Sequence, residues 1–313
     1  MSLLKKYKPK DLNDIIQHQE LVKRLLNVVK KGNLKNMILV GSSGIGKTEI
    51  IHNLIYQIFQ NNKEAILELN TTDERGINVV RDKIKMFSQK KVNLIKGQTK
   101  IVILDEADTL TQGAQQALRR MIELYSNTTR FIFICNSINN IIEPIQSRCC
   151  IYNLSKISNQ NILNKLIDIC NKEGINYQLE GLNKIVLISN GDLRQAIQNL
   201  DTVYVGFNYI NIENIDKICD VTLINNLTEI IDNIYHKIEY SIILQKLYNL
   251  LDLGYSFQDI LEYLFILLKE NTKIKDIDKL KMIKELSLID IRIIQGIQTK
   301  LQLNNLLYHL YYI

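Results

Sequence analysis

The stretch that most constrains this chain is residues 41–48, Gly-Ser-Ser-Gly-Ile-Gly-Lys-Thr. It lies between an apolar run, Met37-Ile38-Leu39-Val40, and a segment with Ile50, Ile51, Leu54, Ile55 and Ile58 on one helical face. The first flank predicts a buried strand and the second an amphipathic helix. Strand, glycine turn and helix form the context in which G-x-x-x-x-G-K-[ST] has a physical use. Gly41, Gly44 and Gly46 let the backbone turn tightly and aim successive N–H groups at an anion. The new helix adds its positive N-terminal end. Ser42, Ser43 and Ile45 fill the loop, Lys47 reaches terminal phosphates, the Thr48 hydroxyl holds Mg²⁺, and Glu49 completes the expected lining. A glycine turn that merely caps a helix would require all eight positions and both flanks to coincide by chance.

At 313 residues the chain has room for two or three domains with separate cores. Its 39 Lys plus Arg against 33 Asp plus Glu give a net +6, which permits a polyanionic partner without establishing one. Five cysteines (135, 149, 150, 170 and 219) form no C-x-x-C pair and have no histidine at ligand spacing. A zinc site or disulfide framework is therefore not expected, and a reducing, intracellular setting is. The N-terminus lacks an apolar targeting core and no run of 18 apolar residues exists, so neither secretion nor a membrane is expected.

Along the chain, residues 21–31 read as a helix ended by Gly32, and 65–69 as a strand followed by a turn over 70–76. A helix over 77–89 buries Val80, Ile84 and Phe87, with Arg81, Lys85 and Ser88 sharing another face. Residues 81–100 hold seven Lys or Arg against one acid, Asp82: either a solvated face with a basic loop or a surface for a polyanion. Ile101-Val102-Ile103-Leu104 predicts a buried strand delivering Asp105-Glu106-Ala107-Asp108. Downstream of a phosphate loop, Asp105 can join the Mg²⁺ shell and Glu106 can orient and deprotonate a water. The letters also suggest a DEAD-box helicase, but residues after 155 offer no second strand–helix alternation.

A helix over 115–125 spaces Leu118, Met121, Ile122 and Tyr125 as core residues. A strand over 131–135 is tipped by Asn136, which lies beside a γ-phosphate if this strand falls between the two motif strands and otherwise starts a loop. Arg148, in Ser147-Arg148-Cys149, precedes a strand over 150–154 and by chemistry alone reads as a surface or salt-bridge residue. From 155 onward the pattern is helical only, with helices over 162–173, 179–189 and 192–205. Gly191-Asp192 marks the start of the last, and Arg194 lies in its first turn. Residues 225–313 read as Leu- and Ile-rich helices with apolar surface to spare: either an interface with other subunits or simply an Ile-rich core.

Together these segments resemble the AAA+ clamp-loader family, specifically the small subunits of replication factor C. The resemblance rests on Lys6-Tyr7-Lys8-Pro9 with Leu12-Asn13-Asp14-Ile15-Ile16, on residues 41–48, and on residues 69–76 with Val80-Arg81. It continues through residues 104–108 with Ala117-Leu118-Arg119-Arg120, residues 129–136, Ser147-Arg148-Cys149 and Gly191-Asp192-Leu193-Arg194. Three positions depart from the family: Lys8 stands where Arg is frequent, Gln17 where Gly is, and Ser43 where Pro is usual.

The resemblance implies an α/β AAA+ P-loop ATPase domain over 1–154, an all-helical lid over 155–222 and an all-helical collar for oligomerisation over 223–313. It implies an ATPase subunit of a hetero-pentameric clamp loader, one large and several small subunits, which opens a ring-shaped sliding clamp and loads it onto primer–template DNA. ATP and Mg²⁺ are the implied cofactors. Tyr7, Lys8, Pro9, Ile15 and Ile16 are implied around the adenine, Asn136 and Arg194 (with Leu193) as sensors of the nucleotide, and Arg148 as a finger on a neighbour's ATP. Arg81 is implied to touch DNA and, without it, to hold Glu106 away from the water, with Lys85 a second phosphate contact. The helix over 115–125 is implied to meet the clamp through Met121 and Tyr125. Its location would be the nucleus in a eukaryote, otherwise the cytoplasm or a viral replication compartment. A branch-migration helicase and an ATP-gated scaffold are the competing functions; Ser147-Arg148-Cys149 speaks against the first and Glu106 against the second.

Overall fold

A computed structural model of the chain describes residues 2–312 except 32–33, 60–61, 72–76, 93, 95–97, 219–221 and 272–273. The turn expected over 72–76, the side chain of Val80 and Cys219 fall outside the described residues. The apolar runs become five strands: β1 (Met37–Val40), β2 (Ile66–Asn70), β3 (Lys100–Asp105), β4 (Thr129–Cys135) and β5 (Cys150–Asn153). All pair in parallel, in the order β2-β3-β4-β1-β5. Parallel strands need crossover helices, and those helices cover both faces. Hence β1, β3 and β4, the three central strands, are almost continuously buried, while the edge strands β2 and β5 are partly exposed.

The crossovers and N-terminal elements are α1 (Leu3–Lys6), α2 (Gln19–Lys31), α3 (Lys47–Phe59), α4 (Ile77–Gln89), α5 (Gln112–Leu124) and α6 (Glu143–Gln146). α5 begins three residues earlier than its apolar spacing suggests, because Thr111 caps it by accepting from the Ala114 N–H. It turns Leu118, Met121 and Ile122 into the core above β3 and β4. Met121, expected as a clamp anchor, is only 6% exposed; the apolar side chain that α5 shows to solvent is Leu124, 76% exposed. Tyr125 is half-buried against the same core. The i, i+3, i+4 spacing of 118, 121 and 122 leaves Met121 no route outward.

Ser88 also differs from expectation. It is buried, so the outward face of α4 carries Arg81 and Lys85 without it. Lys100 is 5% exposed and leaves the basic surface altogether. Its ammonium donates to the carbonyls of Phe87, Ser88 and Lys90, the last at 2.8 Å, closing the C-terminal end of α4.

After β5 come α7 (Asn159–Glu173), α8 (Leu179–Ser189), α9 (Leu193–Phe207) and α10 (Ile212–Ile218). This region is not wholly helical: β6 (Asn176–Tyr177) and β7 (Tyr209–Ile210) form a small parallel pair, too short to show a period of two in the sequence. Residues 1–215 form one compact unit, so the boundary expected at 154 lies inside it, and 216–313 form a second. In the second unit α11 (Thr222–Tyr235), α12 (Tyr240–Asp252), α13 (Phe257–Glu270), α14 (Asp276–Ile294) and α15 (Lys300–Tyr312) enclose a core that includes Leu227, Ile243, Leu264, Ile289 and Leu303.

Candidate nucleotide site

β1 ends at Val40 and the chain turns through residues 41–46 into α3, whose first bond runs from the Ile50 N–H to the Gly46 carbonyl. Gly44 is in left-handed backbone, φ 66°, and a Cβ there would collide with the carboxylate of Asp192. Lys47, 8% exposed, donates to Gly41 O at 2.6 Å, Ser42 O at 2.8 Å and Asn136 Oδ1 at 2.9 Å. All three ammonium donors are thus directed at the loop and at the tip of β4. Burial lowers the Lys47 pKa, while the carboxylates of Asp105, Asp108 and Asp192 oppose that shift.

Asn136 reaches Lys47 because β4 lies between β1 and β3, the placement on which its reading as a site residue depended. Its backbone N–H donates to Asp108 Oδ2 at 3.1 Å. The other oxygen of Asp108 is buried and has no hydrogen-bond partner among the described residues.

At the end of β3, Asp105 Oδ2 accepts from the Thr48 hydroxyl at 3.0 Å, and Oδ1 accepts from the Glu106 N–H at 2.9 Å. A hydroxyl and a carboxylate at this separation are hard oxygen donors, the set Mg²⁺ takes alongside phosphate oxygens. Among the described residues no three or more His, Cys, Asp or Glu side chains are grouped so that they could hold a metal ion by themselves. Glu106 itself is exposed and sits in left-handed backbone, φ 54° and ψ 39°, a conformation that costs a non-glycine residue about 1–2 kcal/mol. Hydrogen bonds offset that cost. Its carbonyl accepts from the Thr71 hydroxyl at 2.7 Å and the Thr109 N–H at 3.0 Å.

Asp192 caps α9 by accepting from the Gln195 N–H at 2.9 Å, and its other oxygen accepts from the Ser43 hydroxyl at 3.2 Å. The sequence marked Asp192 only as a helix start; its reach to the phosphate loop becomes visible once α9 folds over that loop. Leu193 and Arg194 follow in the first turn, with Arg194 exposed. The N-terminal arm completes the surround. Tyr7 donates to Glu173 on α7 and Lys8 pairs with Glu49 at 3.0 Å, while Pro9 O accepts from Asn53 at 3.3 Å. The bond to Glu173 pushes the Tyr7 pKa up to about 12. Ile15 and Ile16 are half-buried, and Gln17 next to them bonds Ser155 Oγ, Lys156 O and the Ser158 N–H. The three positions that depart from the family, Lys8, Gln17 and Ser43, thus each make a side-chain contact. A separate cavity of about 450 Å³ opens beside the start of α2, lined by His18, Arg24 and Tyr152 among others, and includes none of residues 41–48.

The remaining candidates lie apart from this group. Arg148 pairs with Glu123 of α5 at 2.6 Å and donates to Pro144 O at 2.8 Å. Among the described residues it bonds none of residues 41–48. Arg81 and Lys85 are exposed on α4. Among the described residues no hydrogen bond or ion pair joins Arg81 to Glu106.

A parallel sheet of this order, a phosphate loop after its β1, an acidic pair ending the adjacent-but-one strand, and helices closing over the loop define a P-loop ATPase of the AAA+ class. Three family models match the chain: the DNA polymerase III delta subunit over residues 67–158, the AAA+ ATPase lid domain of the RCF1/5-like type over 161–205, and the replication factor C C-terminal domain over 211–309. Replication factor C subunit 2 of Arabidopsis thaliana is 45% identical over 97% of this chain and 91% of its own length. Subunit 4 of Schizosaccharomyces pombe is 43% identical over 97% and 89%, and the small subunit of Methanococcus vannielii 36% over 97% and 96%. Among solved structures, the RuvB Holliday junction branch migration motor of Thermotoga maritima superposes with a TM-score of 0.58 at 18% identity, covering 84% of this chain and 91% of that one, a likeness of fold. The chain belongs to the replication factor C small-subunit family.

Proposed function

We propose that this chain is an ATP-hydrolysing small subunit of a clamp loader that opens a ring-shaped sliding clamp and places it on primer–template DNA in replication. The observation that carries the reading is the meeting of Lys47, Thr48, Asp105, Glu106 and Asn136 at the C-terminal ends of β1, β3 and β4. An arriving γ-phosphate oxygen exchanges for one of the carbonyls now held by Lys47, and Asn136 moves with that ammonium, so it reports phosphate occupancy. Thr48 and Asp105 would hold Mg²⁺, which would supply neutralisation of phosphate charge. Glu106, exposed and one residue past the metal ligand, orients the attacking water and takes its proton. Gly41, Ser42, Ser43, Gly44, Ile45 and Gly46 wrap the phosphates, and Tyr7, Lys8, Pro9, Ile15, Ile16 and Glu49 surround the base side. Leu193 and Arg194 come down from the lid.

Arg148 serves the ATP of a neighbouring subunit. Its engagement with Glu123, away from its own phosphate loop, supports a role in trans. Arg81 and Lys85 grip DNA phosphates without reading sequence. Leu124, with Tyr125 at its base, is the apolar contact to the clamp. In the second unit Ile277, Leu280, Ile291 and Ile294 leave one flank of α14 apolar and exposed, which suits packing against other subunits. In a eukaryote the complex works in the nucleus.

The test is ATP turnover by the assembled complex with primed DNA and clamp added together. The rate should rise above that with either alone, and Glu106→Gln should lower it by about 10²–10⁴ while ATP still binds. An unchanged rate in the Gln variant would remove Glu106 as the base.

A further inference from the structure

We propose that Thr71 is a positioning residue for Glu106. The inference rests on the reading of Glu106 as the general base and adds to it what holds that base in place. Thr71 follows the last residue of β2 and is buried. Its backbone N–H donates to Asp105 O at 3.2 Å, extending the β2–β3 ladder one step beyond Asn70. Its hydroxyl lies 2.7 Å from Glu106 O, 2.8 Å from Thr109 Oγ1 and 3.0 Å from Asp105 O. One hydroxyl carries one proton, and the shortest contact assigns it to Glu106 O. The Thr109 hydroxyl lies 2.9 Å from the same Glu106 O and 2.8 Å from Thr71 Oγ1, so it backs the Thr71 contact from the other side of that carbonyl.

Thr71 therefore holds two consecutive carbonyls of the acidic turn, Asp105 by its N–H and Glu106 by its O–H. These are the residues whose side chains meet the metal and the water in the proposed reaction. Between them the backbone passes from extended strand to the left-handed region, where a non-glycine residue stays only if its surroundings hold it. Asp105 is held independently through Thr48. The carboxylate of Glu106 makes no hydrogen bond with the described residues, so among them the backbone hold on residue 106 is what fixes where this side chain starts. Without the Thr71 hydroxyl, Glu106 O keeps the Thr109 N–H and hydroxyl, both from its own turn, but loses its one side-chain tie to the end of β2, and the base samples a wider range of positions. A base displaced by about 1 Å can cost about a hundredfold in rate.

The test is a double-mutant cycle on single-turnover ATP hydrolysis by the full chain assembled with its partner subunits. Thr71→Val removes only the hydroxyl at nearly constant volume. It should lower kcat by about tenfold or more with KM for ATP changed less than about twofold, and Thr71→Ser should restore kcat. In a Glu106→Gln background, Thr71→Val should cause no further loss, because a positioning residue acts only through the group it positions. Thr109→Val, which removes the hydroxyl that touches both Thr71 and Glu106 O but leaves the Thr71 tie, should give a smaller loss of the same kind and keeps the inference open to test if Thr71→Val does not fold. A folded Thr71→Val variant with unchanged kcat, a serine variant as slow as valine, or additive losses in the double variant would each overturn the role of Thr71 while leaving Glu106 as the base. Full activity of Glu106→Gln alone would overturn the reading beneath it.

Discussion

Arg148 and Glu123 form an ion pair, Nη2 to Oε1 at 2.6 Å, that holds the arginine of Ser147-Arg148-Cys149 against α5 of its own chain. Arg119 approaches the same carboxylate oxygen at 3.3 Å. A guanidinium fork fits a carboxylate and a phosphate alike, so in the proposed trans role a neighbour's γ-phosphate would compete with Glu123 for Arg148. Arg148→Ala should leave ATP binding to this subunit intact and slow hydrolysis at the adjoining site by about 10³-fold or more. Glu123→Gln should act in the opposite direction and mildly, raising the apparent affinity of the adjoining site about two- to fivefold, since exposed pairs are weak. Nucleotide titrations of mixed complexes, with the variant in one position only, measure both.

Met121 and Leu124 lie one turn apart on α5 and should separate stability from clamp binding. Met121→Ala opens a cavity beside Phe131 and Phe133 in the sheet core and should cost about 2–5 kcal/mol in denaturant unfolding. Leu124→Asp should leave the unfolding midpoint nearly unchanged while weakening clamp binding about tenfold or more. Surface-immobilised clamp and a denaturant titration on the same preparations distinguish the two.

Arg81 and Lys100 belong to one basic stretch of sequence and should behave as unlike residues. Arg81→Ala should weaken DNA binding similarly across sequences and reduce the salt slope by about 0.9. Lys100→Met should leave the slope unchanged. It should lower stability by about 1–3 kcal/mol instead, because the carbonyls that end α4 lose their donor. Binding isotherms between about 50 and 200 mM salt, with unfolding curves, read out both.

His52 of α3 bonds Glu68 of β2 at 2.9 Å, which raises the histidine pKa above 6.5 and lowers the glutamate below 4.5. The histidine part of this stabilisation is complete below pH 6.5 and is lost as pH rises through the raised value; the glutamate part is complete above pH 4.5 and is lost as pH falls through the lowered value. The pair therefore helps most between those limits. The stability difference between the natural chain and His52→Gln should be larger at about pH 5.5 than at about pH 8.5. A difference independent of pH would exclude the charged pair.

The phosphate loop, the five strands and the acidic pair were legible because each is a local pattern: an apolar run, a glycine spacing, a carboxylate following a strand. Met121 shows two readings of one segment in conflict. Its spacing marked it as core, the family likeness marked it as a surface anchor, and the packing follows the spacing. Lys100 was not legible. Nothing in a run of lysines tells which one will meet the carbonyls at a helix end. Thr71 was equally hidden, since its partners are thirty-four and thirty-five residues away in sequence and become neighbours only through the register of β2 with β3. Asp192 looked like an ordinary cap until α9 brought it against Ser43.

The N-terminal arm touches three helices through neighbouring residues. Leu3 N–H bonds Asp201 on α9, and Lys6 and Tyr7 engage Glu173 on α7. The very next residue, Lys8, turns to Glu49, which adjoins Thr48. Three consecutive residues therefore link the end of α7 to the first turn of α3, through two exposed lysine pairs and the Tyr7 hydroxyl. Trimming the chain to residue 10 would cut this link and leave every residue of the phosphate loop in place.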